Sequence, residues 1–172
     1  MENRSITVAS DKDIAALVAL VNSAYRGDHA RKGWTHEADL LNGQRIDAEG
    51  MASLLADGDT SILKYTDNNR IVGCVCLEKK GSHLYLGMLT TDPEFQGQGI
   101  GKVMLREAER HAVRMGCTLV EMTVITDRLE LMAWYERHGY KNTGVMKPFP
   151  SHDPRAGVPL KSLQFVVMEK ML

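Results

Sequence analysis

Apolar positions recur along this chain with two periods, and the places where the period changes mark out its elements. The run SITVA at 5–9 reads as a first strand. Ser10, with Asp13 three residues on, has the form of a helix N-cap. Ile14, Leu17, Val18, Val21, Ala24 and Tyr25 follow at helical spacing, which predicts an amphipathic helix over 11–25. Residues 26–46 are polar, with a short helix expected from Thr35 to Leu41. Another helix is expected over about 47–56, stopped by DGD. SILKYT and RIVGCVCLEKK flank DNN, a hairpin signal, and KKGSH turns the chain into a third long strand, HLYLGMLTT. Asp92-Pro93 ends that strand, because proline offers the ladder no N–H and restricts the residue before it.

A helix is expected next, to about Met115, with Ile100, Val103, Met104, Ala108, Ala112 and Met115 on one face and Gly116 as its stop. CTLVEMTVIT reads as a strand and RLELMAWYERHG as a helix closed by Gly139. YKNTGVMKP and LQFVVMEKML are closing strands around a Pro- and Gly-containing loop. The order is β-α-α-β-β-β-α-β-α-β-β. This predicts an α/β (α+β) fold: a single mixed, mostly antiparallel sheet of about seven strands, helices on both faces, one domain over 1–172.

The segment QGQGIG, 96–101, lies between the third long strand and its following helix. It is not a P-loop, which would need Gly at 96 and Ser or Thr at 103, where Gln96 and Val103 stand. A dinucleotide fingerprint from Gly97 would need Gly at 102 and meets Lys102. The physics survives both failures. Three glycines leave backbone N–H groups bare at a helix start, where the first donors have no partner and the dipole is positive. A phosphate or pyrophosphate is the natural occupant.

Gln96-Gly97-Gln98-Gly99-Ile100-Gly101 resembles the Q/R-x-x-G-x-G/A motif of the GNAT family of N-acetyltransferases. TTDPEFQGQGIGKVML, LVEMTVI and AWYERHGY resemble that family's strand end, loop and helix, its fifth strand, and its tyrosine-bearing helix, in the expected order. The likeness is close over 60–145 and rests on element order elsewhere. It implies the GNAT fold and acetyl-CoA as co-substrate, with no metal. The pyrophosphate would bind the backbone N–H groups of Gln96, Gly97, Gln98, Gly99, Ile100 and Gly101, with Lys102 beside them. Pantetheine would lie along Leu89, Thr90 and Thr91, in a gap opened by a bulge that Gly87 would ease. Tyr135 matches the tyrosine that serves as general acid to the departing thiolate.

Two departures from the family pattern leave questions open. Where histone-type relatives carry a glutamate base, this chain has Tyr85, so the base is sought among Glu37, Asp39, Tyr25, His83 and a water chain. Where many relatives carry Asn and Ala before the tyrosine, this chain has Arg128 and Leu131; Arg128 either takes over a coenzyme contact or faces the acceptor.

Composition narrows the partners. Charged residues are 25% of the chain and the formal net charge is −1, which gives no electrostatic case for nucleic acid or an anionic membrane. No apolar run is long enough for a bilayer, and MENRSITVASDKD has no signal-peptide core, so the expected location is cytoplasmic. Three cysteines and six histidines, His152 among them, show no metal spacing; Cys74 and Cys76 are expected as small buried apolar groups on one sheet face. The acceptor walls are expected from 26–46 and 148–162, with Trp34, Glu37 and Tyr85 as substrate-side residues. Charges of both signs at Arg26, Arg31, Lys32, Glu37 and Asp39 suit a small zwitterionic or carboxylate-bearing amine. The expected function is acetyl transfer to a small-molecule amine. The alternatives are a catalytically silent acyl-CoA sensor and an acetyltransferase of a protein or peptide amine. The closing strands are apolar enough to pair across a homodimer.

Overall fold

A computed structural model describes residues 3–151 and 153–172, so His152 lies outside the described residues. The chain opens with β1 (Arg4–Val8) and a 3-10 turn, where the Ser10 N–H donates to Asp13 Oδ2 at 2.9 Å. Helix α1 (Ile14–Tyr25) follows and buries Leu17, Leu20, Val21 and Ala24. After α2 (Gly27–Ala30) and the two-residue β2 (Leu41–Asn42) comes α3 (Ala48–Ala56), N-capped by Asp47, whose side chain accepts from Gly50 N at 2.7 Å. Then β3 (Thr60–Asp67), β4 (Arg70–Lys80) and β5 (His83–Thr91) form a meander. Asn68 and Asn69, both at positive φ, make the two-residue turn of its first hairpin. Helix α4 (Ile100–Arg114), β6 (Leu119–Ile125) and α5 (Leu129–Arg137) follow, then β7 (Lys141–Pro148), β8 (Val158–Pro159) and β9 (Gln164–Met171).

Among the described residues, seven strands form one sheet in the order β1-β3-β4-β5-β6-β9-β7, and β2 pairs with β8 in a small second sheet. Every neighbouring pair in the large sheet is antiparallel except β5–β6, which α4 joins as a crossover. One face packs α4 and α5 over Val72, Val75, Leu84, Leu86, Val120 and Met122. The other packs α1 and α3 over Ile62, Cys74 and Met88.

Four expectations need correction. No helix runs from Thr35 to Leu41. The segment is tied outward instead, with Trp34 N donating to Gln96 Oε1 at 2.9 Å and Glu37 N to Tyr25 O at 2.8 Å, and these tertiary bonds leave only one turn closing on Glu37 O. On α4 the buried set is Ile100, Met104, Leu105, Ala108 and Ala112; Val103 is exposed. The bulge in β5 falls at Met88 rather than Gly87: Met88 carries the left-handed φ of 50°. Of the closing strands, β9 is flanked by β6 and β7, so only β7 has an unpaired edge to offer a second copy. Cys74 and Cys76 do pack on the same side, and burial pushes their thiols up to about 12 and about 11.

One clasp sets the position of the polar segment. Arg26 is buried and donates to Gln44 O (3.3 Å), Ala156 O (3.1 Å) and Glu37 Oε1 (3.2 Å). Gly157, at φ 97°, is where the chain passes against this guanidinium; a Cβ there would stand 2.8 Å from Asn42 O. Gly157→Ala is therefore expected to destabilise the fold by about 1–3 kcal/mol, lowering Tm by roughly 3–10 °C. Gly58→Ala, which meets nothing within 4 Å, is the matched control in a thermal melt.

Candidate active site

Strands β5 and β6 pair only through His83–Tyr85 and Leu119–Glu121. Beyond that point they separate, although each keeps its other neighbour. The separation coincides with the bulge: Cys74 pairs Thr90 and Cys76 pairs Gly87, so Val75 faces both Met88 and Leu89. A left-handed conformation costs a methionine about 1–2 kcal/mol. Two hydroxyls hold the distorted backbone, with Thr90 Oγ1 donating to Met88 O (2.8 Å) and Tyr25 Oη to Leu89 O (3.1 Å). The β6-facing edge of β5 is thereby left open to another extended group.

A cavity of about 510 Å³ lies at the mouth of this gap, between the end of β5, the glycine loop and α5. Its walls include Leu89, Thr90 and Thr91 from β5, Gln96, Gly97, Gly99, Ile100, Gly101 and Lys102 from the glycine loop, and Arg128, Trp134, Tyr135, Arg137 and His138 from α5 and its ends. Gly97 (φ 80°) and Gly99 (φ 79°) adopt left-handed backbone, and a Cβ on either would project into open space. Phe95 N donates to Asp92 O and Val103 N to Gly99 O; the N–H groups between them have no acceptor among the described residues. The loop is thus a set of bare donors at the start of a 15-residue helix, with Lys102 on the rim. Gln98 offers its backbone N–H alone: its side chain turns away to accept from Arg4 Nη2 at 3.2 Å, and it does not line the cavity. Trp34, expected on the acceptor side, lines this cavity instead, with its ring 6.3 Å from that of Trp134.

A second cavity of about 270 Å³ lies between the parted strands, lined by Tyr85–Leu89 of β5 and Met122–Ile125 of β6. It is lined by Tyr85 and Glu37, together with Arg26, Arg45 and Arg128, and is bounded by Phe149, Pro150 and Ala156. Tyr25, Leu89, Arg128, Leu131 and Tyr135 belong to both cavities and form the seam between them. Tyr85 shares a 2.7 Å hydrogen bond with Thr123 Oγ1, which fixes its ring against β6.

Glu37 is buried between two guanidiniums, with Arg26 Nη2 at 3.2 Å from Oε1 and Arg128 Nη1 at 3.6 Å from Oε2. Among the described residues it is the only carboxylate lining either cavity. Arg128 also donates to Thr35 Oγ1 at 2.8 Å. Its place on the seam means that it lines both cavities. Asp39 is exposed and paired with Arg31, whose hydrogen bond holds its carboxyl below the usual range. His83 stands at the closed end of the gap beside Glu121, about 20 Å from Leu89 along the strand. Neither lines a cavity.

Tyr135 is 5% exposed and packs edge-on against Trp134 (centroids 5.2 Å) and Tyr140 (5.7 Å). Desolvation raises its phenol well above the ordinary value, so the hydroxyl keeps its proton at neutral pH. Desolvation raises Tyr25 likewise. Arg45, Arg137, His138 and Thr35 were not singled out in the sequence. Each is an isolated polar residue whose role comes only from what the fold sets beside it.

A splayed β5–β6 pair with a glycine loop at its mouth defines a class of protein. The model of the acetyltransferase (GNAT) family matches residues 14–140. The chain belongs to this family and is an N-acetyltransferase. Solved structures agree over nearly the whole length. The ribosomal-protein-S18-alanine N-acetyltransferase of Escherichia coli superposes with a TM-score of 0.73 at 14% identity, covering 98% of this chain and 94% of that one. The PaiA N-acetyltransferase of Thermoplasma acidophilum, solved with coenzyme A, gives 0.70 at 18% identity, with 99% of each chain covered. An N-acetyltransferase of Staphylococcus aureus gives 0.73 at 13% identity, with 98% of each covered. Among the described residues no helix is long and apolar enough to cross a membrane, and no cluster of three or more His, Cys, Asp or Glu could hold a metal.

Gly101 tests the cradle without disturbing the fold. Its backbone is not left-handed, and a Cβ would sit at an ordinary 3.6 Å from Trp134. Gly101→Glu is expected to leave Tm unchanged or higher, since glutamate is the better helix former. The same change should weaken coenzyme A binding at least 100-fold by placing a carboxylate among the bare donors. Calorimetric titration with coenzyme A measures it.

Proposed function

We propose that the protein transfers the acetyl group of acetyl-CoA to the amine of a small molecule. The observation that carries this reading is the seam: two cavities, one with an anion cradle and one without, meet at Leu89 and Tyr135. The residues present fit the coenzyme. Bare N–H groups from Gln96 to Lys102 suit its pyrophosphate, and the unpaired edge of Leu89–Thr91 suits the amides of its pantetheine arm. When bound, acetyl-CoA supplies an acetyl thioester. Amine plus thioester gives amide plus thiol, with one proton leaving the amine and one reaching the sulfur.

The residues then divide the work. Tyr135 is the proton donor at the sulfur: desolvation keeps its hydroxyl neutral, and it stands on the seam. Thr90 and Tyr25 hold the β5 backbone at Met88 and Leu89, which orients the strand toward the reacting carbonyl. Glu37 is a positioning residue rather than the base, because both its oxygens are engaged by arginines. Arg128, beside the seam, lowers the affinity of a nearby amine for its proton, since a cation disfavours an ammonium. The acceptor's amine is thus deprotonated by the pocket's field and by water.

The size of the second cavity supports a small acceptor over a peptide. About 270 Å³, bounded by Phe149, Pro150 and Ala156, suits a molecule of amino-acid size. The Escherichia coli neighbour acts on a ribosomal protein's alanine, but at 14% identity it carries the fold alone.

Thiol release with acetyl-CoA and a panel of amines, amino acids and peptides tests the reading. Transfer to a small amine is expected, with Tyr135→Phe lowering kcat by about 10²-fold and leaving coenzyme A affinity unchanged. Unchanged turnover in that variant would remove Tyr135 from the chemistry. The pH profile tests the missing base. The rising limb of kcat/KM is expected to follow the acceptor's own amine, shifting when an acceptor of different basicity is used. A limb at one fixed pH for all acceptors would point to a protein base instead.

A further inference from the structure

The cation count of the second cavity does not close. Three arginines, Arg26, Arg45 and Arg128, line it against one carboxylate, Glu37. Arg26 is spent on Glu37 and on two backbone carbonyls from separate segments. Arg128 is spent on Thr35 and, more loosely, on Glu37, yet its Nε is buried without an acceptor among the described residues. Arg45 has no carboxylate partner among the described residues. Its guanidinium lies 5.6 Å from the centre of the Tyr25 ring, with that of Arg128 5.7 Å from the same centre. Its backbone is held firmly, since Arg45 N and Ile46 N both donate to Asn22 Oδ1, at 2.8 and 3.1 Å.

A guanidinium cannot shed its charge to accommodate burial. Around one aromatic ring stand the half-buried Arg45, with no carboxylate partner, and the buried Arg128, with only a 3.6 Å share of Glu37 and an Nε lacking an acceptor, which together form a prepared seat for an oxyanion. Leu86, Met122, Val124, Ile125, Phe149 and Phe165 on the remaining walls are apolar, and Tyr85 and Thr123 add only neutral hydroxyls bonded to each other, so a second charged group finds no ionic partner there. A polyamine or a lysine side chain would bring a further cation into this excess.

Resting on the acetyl-transfer reading above, we infer that the acceptor is an amine that also carries an oxyanion, a carboxylate or a phosphonate, and that Arg45 is the residue that binds that anion. Arg45 lines the second cavity and not the first, so the anion sits on the side away from the coenzyme cradle, with the amine directed at the seam. The excess charge also serves the chemistry, because it favours the neutral amine that must attack.

The test compares matched acceptors: amino acids, their carboxamides, the corresponding amino alcohols and aminoalkyl phosphonates. Binding is read by calorimetry, and kcat/KM by thiol release. The wild type is expected to bind acids at least tenfold tighter than their amides and to acetylate them with at least 50-fold higher kcat/KM. Arg45→Gln should bring both ratios within about threefold of unity, mainly through KM. Arg45→Lys should restore part of the preference, and coenzyme A affinity should stay unchanged in both variants. Carboxylate over phosphonate preference, or the reverse, names the anion. Equal binding of acids and amides by the wild type, or binding of neither, overturns the inference, as does an acid preference that survives Arg45→Gln. Transfer to neutral or cationic amines with no acid preference would sink the anion seat while leaving acetyl transfer standing. Failure to bind coenzyme A would sink both.

Discussion

The site depends on one interruption of β-pairing. A parallel pair of strands in the middle of a sheet would normally continue to its ends, because each unmade backbone hydrogen bond costs free energy when it is buried. Here β5 and β6 part after three residue pairs. The strands remain in place because the sheet is complete on either side, with β4 along β5 and β9 along the whole of β6. The gap is thus a defect held between two intact half-sheets. Met88 at φ 50° turns the end of β5 away, and the hydroxyls of Tyr25 and Thr90 satisfy the carbonyls exposed by the turn. Both cavities, and the seam between them, exist because of this separation.

The second organising element is the Arg26–Glu37–Arg128 cluster. A buried ion pair is weak evidence for stability, since removing two charges from water costs nearly what their attraction returns. Its value here is geometric. Arg26 ties Glu37 to Gln44 and Ala156, so one guanidinium fixes the polar segment and the closing loop together. Glu37 passes that constraint to Arg128 at the head of α5, the helix that bears Tyr135. The walls of the second cavity and the tyrosine on its seam are therefore registered to one another through three side chains. Gly157 has to be glycine because the loop crosses this clasp at close quarters.

Much of this was legible in the chain, for identifiable reasons. The helical period of α1, the Asn-Asn turn and the glycine loop are local signals, and local physics decides them. Tyr135 followed from a family pattern of contiguous residues. What escaped was decided by contacts across the fold. Thr35–Leu41 has a helical pattern, but bonds to Gln96 and Tyr25 override it. Gly87 was the natural bulge residue by propensity, and the pairing register put the strain on Met88 instead. Glu37 stood among the candidate bases, and the two arginines that hold it, 11 and 91 positions away, left no local signal. Arg45, with neighbours that are far away in sequence, gave no signal at all.

The electrostatics carry the same lesson a step further. The whole chain has a net charge of −1, and from that figure no anionic ligand would be expected. Yet the walls of both cavities are cationic, with Lys102, Arg128 and Arg137 on one and Arg26, Arg45 and Arg128 on the other, against the single carboxylate of Glu37. The balancing acids lie elsewhere, among them exposed residues such as Glu49, Asp57 and Asp59, where solvent screens them. Binding responds to the local field, focused by low-dielectric walls, and not to the sum. The two cavities present that field by different means. The glycine loop offers backbone dipoles, which tolerate any phosphate of the right shape, whereas Arg45 and Arg128 offer full charges at fixed points. A shared co-substrate needs the first kind of recognition, and discrimination among amines needs the second. The division of labour proposed for the two sides of the seam is therefore matched by the kind of donor each side supplies.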